Sequence, residues 1–444
     1  MKDKIFKRKI YSKILEWKQK SNGDSALLIE GPRRVGKSTV VSEFAQKEYK
    51  THIIIDFNKA SSDVKNLFDD LEDLNYIFLQ LQAKYNVILH QRDSVIVFDE
   101  VQKCPKARQA IKYLVEDGRY DYIETGSLIS IKQNTKGITI PSEEDVLEMH
   151  PMDYEEFRWA LGDEVSVPLL RQMWESKKPL GAAFRQSMRD FRLYMLIGGM
   201  PQAVEKYIET NNFTLVDQIK RRILKLYEDD FLKIDRTGRI SKIFRSIPAQ
   251  LTRNIKRYST SAVIGKQNGE TVIEFIKALE DSKTVNVCYR CDDPNVGMSL
   301  NQNDDNYKLF LADTGLFITL AFWDKDITEN VIYEKFLSDK LPANLGYIFE
   351  NVVEQMLISK DYKPYYYTWK RDEKHFYEID FLIPDRHKIA PIEVKSSTNI
   401  SHASLDAFKD KFSSRISREY LVCPKDYKKD GSLEIIPPVL VQFI

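Results

Sequence analysis

Apolar residues follow different rhythms along the chain. Through residue 127 they come as short unbroken runs, at 26–29, 53–55 and 95–98, each ending in acidic residues or glycine. Short apolar runs bounded by polar turns read as buried strands, and stretches with apolar residues three and four apart read as helices. A helix is predicted ahead of the first run from Ile10, Ile14, Leu15 and Trp17, and others at 37–45, 61–92 and 107–117, with a further strand and its polar tip at 120–127. Strand and helix therefore alternate, which predicts a parallel sheet covered on both faces. From 145 to 235 the period is helical, with Phe184, Met188, Phe191, Leu193 and Met195 offering apolar faces. Helices are then expected at 243–258 and 269–282, followed by strands at 284–289 and 307–312, an order compatible with a winged helix. Residues 346–354 are helical by periodicity. By contrast, 377–382 and 391–396 alternate with the period of two that belongs to a hairpin.

Composition narrows this picture only in places. With 444 residues the chain is long enough for about three domains, each with its own core. Lys and Arg total 67 against 66 Asp and Glu, a formal charge of +1 that gives no global attraction to nucleic acid, so any DNA contact needs a local patch. Arg253, Lys256 and Arg257 form one short basic run. Four cysteines make no disulfide framework. Cys288 and Cys291 have C-x-x-C spacing, yet neither Cys104 nor Cys423 forms a second pair, which favours a structural reading over zinc. Residues 1–11 are basic, but no apolar segment of signal or transmembrane length follows them. The expectation is a cytoplasmic protein without a membrane partner.

The run 26–29 leads at once into Gly31-Pro32-Arg33-Arg34-Val35-Gly36-Lys37-Ser38-Thr39, the G-x-x-x-x-G-K-S pattern of a P-loop, and a helix follows it. Glycines let backbone N–H groups approach phosphates, and the helix presents its positive end to them. Residues 31–39 are thus the expected ATP-binding segment, in which Lys37 reaches the β- and γ-phosphates and the Ser38 hydroxyl ligates Mg2+. The third run delivers Asp99 and Glu100 to a strand's carboxyl end, the Walker B pattern. Asp99 is expected to bind Mg2+, and Glu100 to orient and deprotonate the attacking water. At the tip of the next strand, Thr125 and Ser127 are candidates to sense the γ-phosphate.

The order P-loop, Asp-Glu strand and Thr-Gly-Ser strand resembles AAA-like ATPases of bacteria and archaea that carry a carboxy-terminal domain of unknown function. Other segments carry the likeness along nearly the whole chain. Met149-His-Pro151-Met-Asp-Tyr-Glu-Glu156-Phe157, Gly198-Gly199-Met200-Pro201-Gln202 and Lys308-Leu-Phe-Leu-Ala-Asp313-Thr314-Gly315-Leu316 each resemble a signature of that family. The resemblance implies an ATPase core at 1–140, a helical lid at 141–238, a winged-helix-like domain at 239–330 and a restriction-endonuclease-like α/β domain at 331–444. Arg221 and Arg222 are candidates for an arginine finger, with no role assigned.

A second constellation lies in the last of these regions. Asp380, followed by Glu393-x-Lys395 on the next strand, is the core of the PD-(D/E)xK nuclease pattern, with Glu350 as the helix carboxylate. Alternation places Glu393 and Lys395 on one strand face, where Asp380 can join them. Such carboxylates gather Mg2+ beside a scissile phosphate, and the lysine positions water. Three readings stay open: an ATPase coupling nucleotide state to a DNA-facing nuclease-like module, an ATP-gated nuclease, and a nucleotide switch that binds a protein partner through an inactive nuclease fold. ATP and Mg2+ are the expected cofactors, and the oligomeric state is open.

Overall fold

The computed structural model describes residues 5–126, 142–252, 257–323, 334, 336–338, 346–397 and 401–444. They form two compact units, the first ending at His150 and also taking in Asp281–Lys283, the second comprising the rest from Pro151 onward.

In the first unit, strands β1 (Ala26–Glu30), β2 (Thr51–Asp56), β3 (Ser94–Asp99), β4 (Asp121–Gly126) and β5 (Glu144–Glu148) make one sheet in the order β2-β3-β4-β1-β5. Every pairing is parallel. Successive side chains point to opposite faces. Leu27, Ile29, Val95, Val97 and Ile123 pack with the helices Ile10–Ser21 and Lys37–Glu48, while Ala26, Leu28, Ile53, Ile55, Ile96 and Phe98 pack with Leu74–Tyr85 and Pro105–Asp117. All five residues of β1 are buried, which is why its sequence is an unbroken apolar run. The stretch expected as helical at 61–92 holds two helices, Ser62–Asn66 and Leu74–Tyr85. The strand β5 lies beyond the expected limit of this core at residue 140. Its sequence, Glu-Asp-Val-Leu-Glu, hides it because it is an edge strand with no residue buried.

The second unit opens with helices and ends with a mixed sheet. Its strands are β6 (Val285–Cys291), β7 (Gln302–Leu311), β8 (Tyr365–Lys370), β9 (Phe376–Asp385), β10 (Lys388–Val394), β11 (Glu419–Val422), β12 (Lys428–Asp430) and β13 (Leu433–Ile436), in the order β12-β13-β11-β10-β9-β8-β6-β7. The helix Gly346–Ile358 precedes β8, and Ala403–Phe412 joins β10 to β11. The strand pair expected as part of a separate winged helix is instead the edge hairpin of this sheet. Strand β6 pairs in parallel with β8 at Tyr289↔Tyr365 and Arg290↔Tyr366, so the sheet runs across the expected boundary at 330. An otherwise open edge of β8 is covered by this pairing.

The three further signature segments meet in the second unit through Met152, Gly199 and Asp313–Gly315. The backbone N–H of Met152 donates to the Gly199 carbonyl at 2.8 Å, and the Gly199 N–H donates to the buried Asp313 carboxylate at 2.5 Å. Asp313 also caps its own helix by accepting from the Leu316 N–H at 2.8 Å. Gln355 accepts from both the N–H and the hydroxyl of Thr314, at 2.8 and 2.7 Å, and donates to the Tyr194 hydroxyl at 2.9 Å. The Lys220 ammonium donates to the carbonyls of Leu196 and Gly315, at 2.7 and 3.2 Å. Helices of the first half are thereby tied to the helices Thr314–Ala321 and Gly346–Ile358 by buried, partnered polar groups.

The glycines in this clasp leave no room for a side chain. A Cβ on Gly199 would lie 2.2 Å from the Met152 carbonyl oxygen, and one on Gly315 would lie 2.5 Å from the Gly198 nitrogen. Gly199→Ala is expected to destabilise the second unit by about 2–3 kcal/mol, the scale of a forced overpacking. Hydrogen exchange read separately for the two units should show amides of 151–323 and 346–444 opening more readily, with β1 to β4 unchanged.

Candidate functional site

The carboxyl ends of β1, β3 and β4 are neighbours because β4 lies between the other two. The chain leaves β1 at Gly31, whose φ of +153° suits glycine and whose Cβ would meet the Met149 carbonyl oxygen at 2.3 Å. Arg34 (φ +70°) and Gly36 (φ +103°) turn the backbone sharply before the helix Lys37–Glu48 begins. First-turn N–H groups of a helix have no partner within it, so this end offers donors and a positive dipole. Pro32 and Val35 are buried, while Arg33, Arg34, Ser38 and Thr39 are exposed. The buried Lys37 ammonium donates to the carbonyls of Gly31 and Pro32, at 2.9 and 3.0 Å. Burial pulls its pKa down to about 8, with Glu100 and Asp99 opposing that shift.

Asp99 ends β3 beside the loop. Its Oδ1 accepts from the Ser38 hydroxyl at 2.7 Å and from the hydroxyl of Thr125, the penultimate residue of β4. Glu100 sits in the left-handed region (φ +57°), a conformation that costs a non-glycine residue energy and marks a constrained position. Its N–H donates to the Thr125 hydroxyl at 3.2 Å and its carboxylate accepts from the Gln102 side-chain amide at 2.6 Å. Ser127 lies outside the described residues. Hard oxygen donors from Ser38 and Asp99, already adjacent, fit Mg2+, which takes one or two protein oxygens together with phosphate oxygens and water.

Two participants were not evident in the sequence. Arg8 donates through its two terminal nitrogens to the carbonyls of Val35, at 2.9 Å, and His150, at 2.6 Å, bracing the loop from the amino-terminal segment. Gln102 holds Glu100. Neither belongs to a spaced motif, so only the fold brings them in.

The second constellation lies on the face of the eight-stranded sheet. Glu350 comes from the helix Gly346–Ile358, Asp380 from β9 and Glu393 from β10, with Lys395 just beyond it. Antiparallel pairing of Ile392 with Phe381 puts Glu393 opposite Asp380 one step further on. Lys395 pairs with Glu393 at 2.6 Å, and the Val394 N–H donates to Asp380 at 2.8 Å. Two residues unforeseen as chemistry join them. Lys308 on β7, 5 % exposed, pairs with Glu378 of β9 and lies 3.8 Å from Glu350. Burial lifts Glu350 to about 7, with Asp380 and Glu378 adding to the shift while Lys308 and Lys395 oppose it. One turn on, the fully buried Glu354 accepts from the Asn286 amide at 2.8 Å and is raised by its burial to about 8.

The fold thus brings Glu350, Asp380, Glu393 and Lys395 into one cluster. Among the described residues no three Asp, Glu, His or Cys side chains are placed to hold a metal ion. Lysines and a backbone N–H meet these carboxylates, and the Oε2 atom of Glu393 has no hydrogen-bond partner.

Other candidates resolve simply. Arg221 pairs with Asp217 at 2.7 Å and stacks 5.0 Å over the Trp323 ring. Cys288 and Cys291 are buried free thiols, raised by burial, whose sulfurs donate to the carbonyls of Pro364 and Asp293, at 3.5 and 3.1 Å. Arg257 donates to Asn306 at 3.0 Å, whereas Arg253 and Lys256 lie outside the described residues. No helix among the described residues is long and apolar enough to cross a membrane.

Residues 23–158 match an AAA domain, 188–327 a domain of unknown function (DUF8612), and 345–438 another (DUF4143). Among solved structures, the Walker-type ATPase PABY2304 of Pyrococcus abyssi is 17% identical with a TM-score of 0.41, covering 72% of this chain and 97% of its own. The Aeropyrum pernix Orc1 protein, solved in complex with DNA, is 12% identical with a TM-score of 0.27, covering 76% and 93% respectively. The Thermotoga maritima RuvB Holliday junction branch migration motor is 13% identical with a TM-score of 0.27, covering 63% and 89%. No curated protein is detectably similar to the chain.

A depressed lysine in the loop predicts how nucleotide affinity responds to pH. Below about 8 Lys37 carries its charge, and above that value the free protein loses it. ATP affinity is therefore expected to be flat from pH 6.5 to about 7.5 and then to weaken toward roughly tenfold per pH unit above 8. Equilibrium titration with a fluorescent ATP analogue across that range reads this directly.

Proposed function

We propose that the first unit binds ATP and hydrolyses it with Mg2+, and that nucleotide state is passed to the second unit. One observation carries the reading: Asp99 joins Ser38 of the loop and Thr125 of the neighbouring strand at the sheet edge where Lys37 lies. In the proposed mechanism the loop N–H groups of residues 33–39 and the Lys37 ammonium hold the β- and γ-phosphates. To do so the ammonium exchanges the carbonyls of Gly31 and Pro32 for phosphate oxygens. Ser38 and Asp99 would hold Mg2+, which neutralises charge developing between the β- and γ-phosphates. Glu100 orients water and takes its proton, while Thr125 reports whether the γ-phosphate is present. Gln102 keeps the Glu100 carboxylate aimed until water replaces that hydrogen bond.

For the second unit, the pairing of Lys308 with Glu378 and of Lys395 with Glu393 favours one of the open readings. In it the nuclease-like fold is kept for binding, and the chain acts as a nucleotide-dependent switch on a protein partner. The competing reading, a DNA-facing module, predicts binding of duplex or single-stranded DNA that strengthens at low salt, where phosphate contacts are strongest. Absence of binding there supports the switch, and cleavage of DNA with Mg2+ would refute it.

Substitutions separate the roles in the first unit. Lys37→Ala should abolish tight ATP binding, because the ammonium assigned to the β- and γ-phosphates is removed. Glu100→Gln should leave binding within a few-fold of the parent and lower turnover by about 10²–10⁴-fold, the usual contribution of a positioned base. Tight ATP binding by the first variant, or normal turnover by the second, contradicts the assignment. Calorimetric titration and a phosphate-release assay provide the two measurements.

A further inference from the structure

We infer that Lys308, reaching in from the edge hairpin β6–β7, is the resident cation of the acidic pocket on the eight-stranded sheet and keeps a divalent metal out of it. The inference rests on the reading that this pocket does not perform metal-dependent cleavage. Its own content is which residue prevents it.

The placement of the ammonium carries the argument. Lys308 Nζ is bonded to Glu378, lies 3.8 Å from Glu350 and sits 5.4 Å from the centroid of the Tyr366 ring. Carboxylates thus meet it from the helix Gly346–Ile358 and from β9, and an aromatic face meets it from β8. Asp380 adds to the field holding it charged, well above the ordinary lysine range despite full burial. Four acids, Glu350, Glu378, Asp380 and Glu393, face two lysines, Lys308 and Lys395. The Oε2 atom of Glu393, a residue 4 % exposed, has no hydrogen-bond partner, so the acids are only partly compensated.

An ammonium is a compact point charge with three donors, and it serves oxygen ligands much as a metal ion would. A divalent ion brought to the same carboxylates would lie a few ångströms from that charge and be repelled by it, in surroundings that screen poorly. Removing the ammonium reverses the balance. The carboxylates would then face one another without their central counter-charge, and a divalent cation becomes the group that relieves them. Lys308 belongs to β7, outside the helix-strand-strand-strand-helix-strand stretch 346–422 that carries the other residues. The edge hairpin therefore supplies the pocket with its cation as well as covering the edge of β8.

The test uses the full chain without nucleotide and with Asp99→Asn, which silences the metal ligand of the first unit. Binding of Mn2+ is read by electron paramagnetic resonance, and unfolding by circular dichroism with and without Mn2+. The parent is expected to take no Mn2+ in the second unit. Lys308→Ala should bind Mn2+ roughly tenfold or more tightly than the parent, as an uncompensated acid cluster would, and its melting temperature should rise on adding the ion. Lys308→Arg, which keeps the charge, should behave as the parent. If Lys308→Ala is unfolded without the ion and refolds with it, the inference stands. A variant that gains neither binding nor Mn2+-dependent stability overturns it, as does a parent that already binds Mn2+ in this pocket as tightly as the variant. Cleavage of DNA by the parent, measured in parallel, would instead refute the underlying reading of an inactive fold.

Discussion

A parallel sheet buried on both faces offers polar side chains of different strands to a ligand at its ends. That constraint shapes the first unit. Helices cover Leu27, Val95 and Ile123 on one side and Leu28, Ile96 and Phe98 on the other, which leaves the strand ends as the places open to a ligand. At the carboxyl edge the Ser38 hydroxyl, the Asp99 carboxylate and the Thr125 hydroxyl come within hydrogen-bond reach although 61 residues separate the first two and 26 the last two. Nothing local in the sequence places them together. The parallel order β3-β4-β1 does, because each strand must return to the same end before it can present its tip.

This explains which parts of the site were legible beforehand. The loop 31–39 and the pair Asp99-Glu100 announce themselves because each is contiguous and follows an apolar run that can only be a buried strand. Arg8 and Gln102 do not. Arg8 acts on Val35 and His150, from 27 and 142 residues away, through ordinary backbone carbonyls that any sequence contains. Gln102 lies only two residues from Glu100, yet the hydrogen bond depends on the left-handed turn at Glu100, which residue type does not reveal. The strand β5 was hidden for a different reason. Edge strands need no continuous apolar run, so Glu144–Glu148 carries the polar character of a loop.

In the second unit the signatures were visible but their purpose was not. Gly198-Gly199, Asp313-Thr314-Gly315 and the segment after Met149 read as family features of unstated role. In the fold they form a clasp: Gly199 can approach Met152 and donate to Asp313 only because it lacks a side chain. Periodicity placed strands at 284–289 and 307–312, which overlaps Val285–Cys291 but misses the polar first half of Gln302–Leu311. It could not say what they pair with, since an apolar hairpin serves equally as a wing or as the border of a larger sheet. Pairing of Tyr289 and Arg290 with β8 decides the matter, and so merges two expected domains into one sheet.

Three buried lysines show how one side chain is given different work by its neighbours. Burial alone disfavours an ammonium, and in Lys37 and Lys220, whose ammonium groups donate to backbone carbonyls, it wins, so both fall to about 8. In Lys308 the carboxylates of Glu378, Glu350 and Asp380 outweigh the same penalty and drive the pKa upward. The first lysine is thus short of negative charge, which suits a group that must take up an anionic ligand and let it go. The last has its counter-charges built in by the fold. A buried lysine with permanent acidic partners has no reason to seek an external anion.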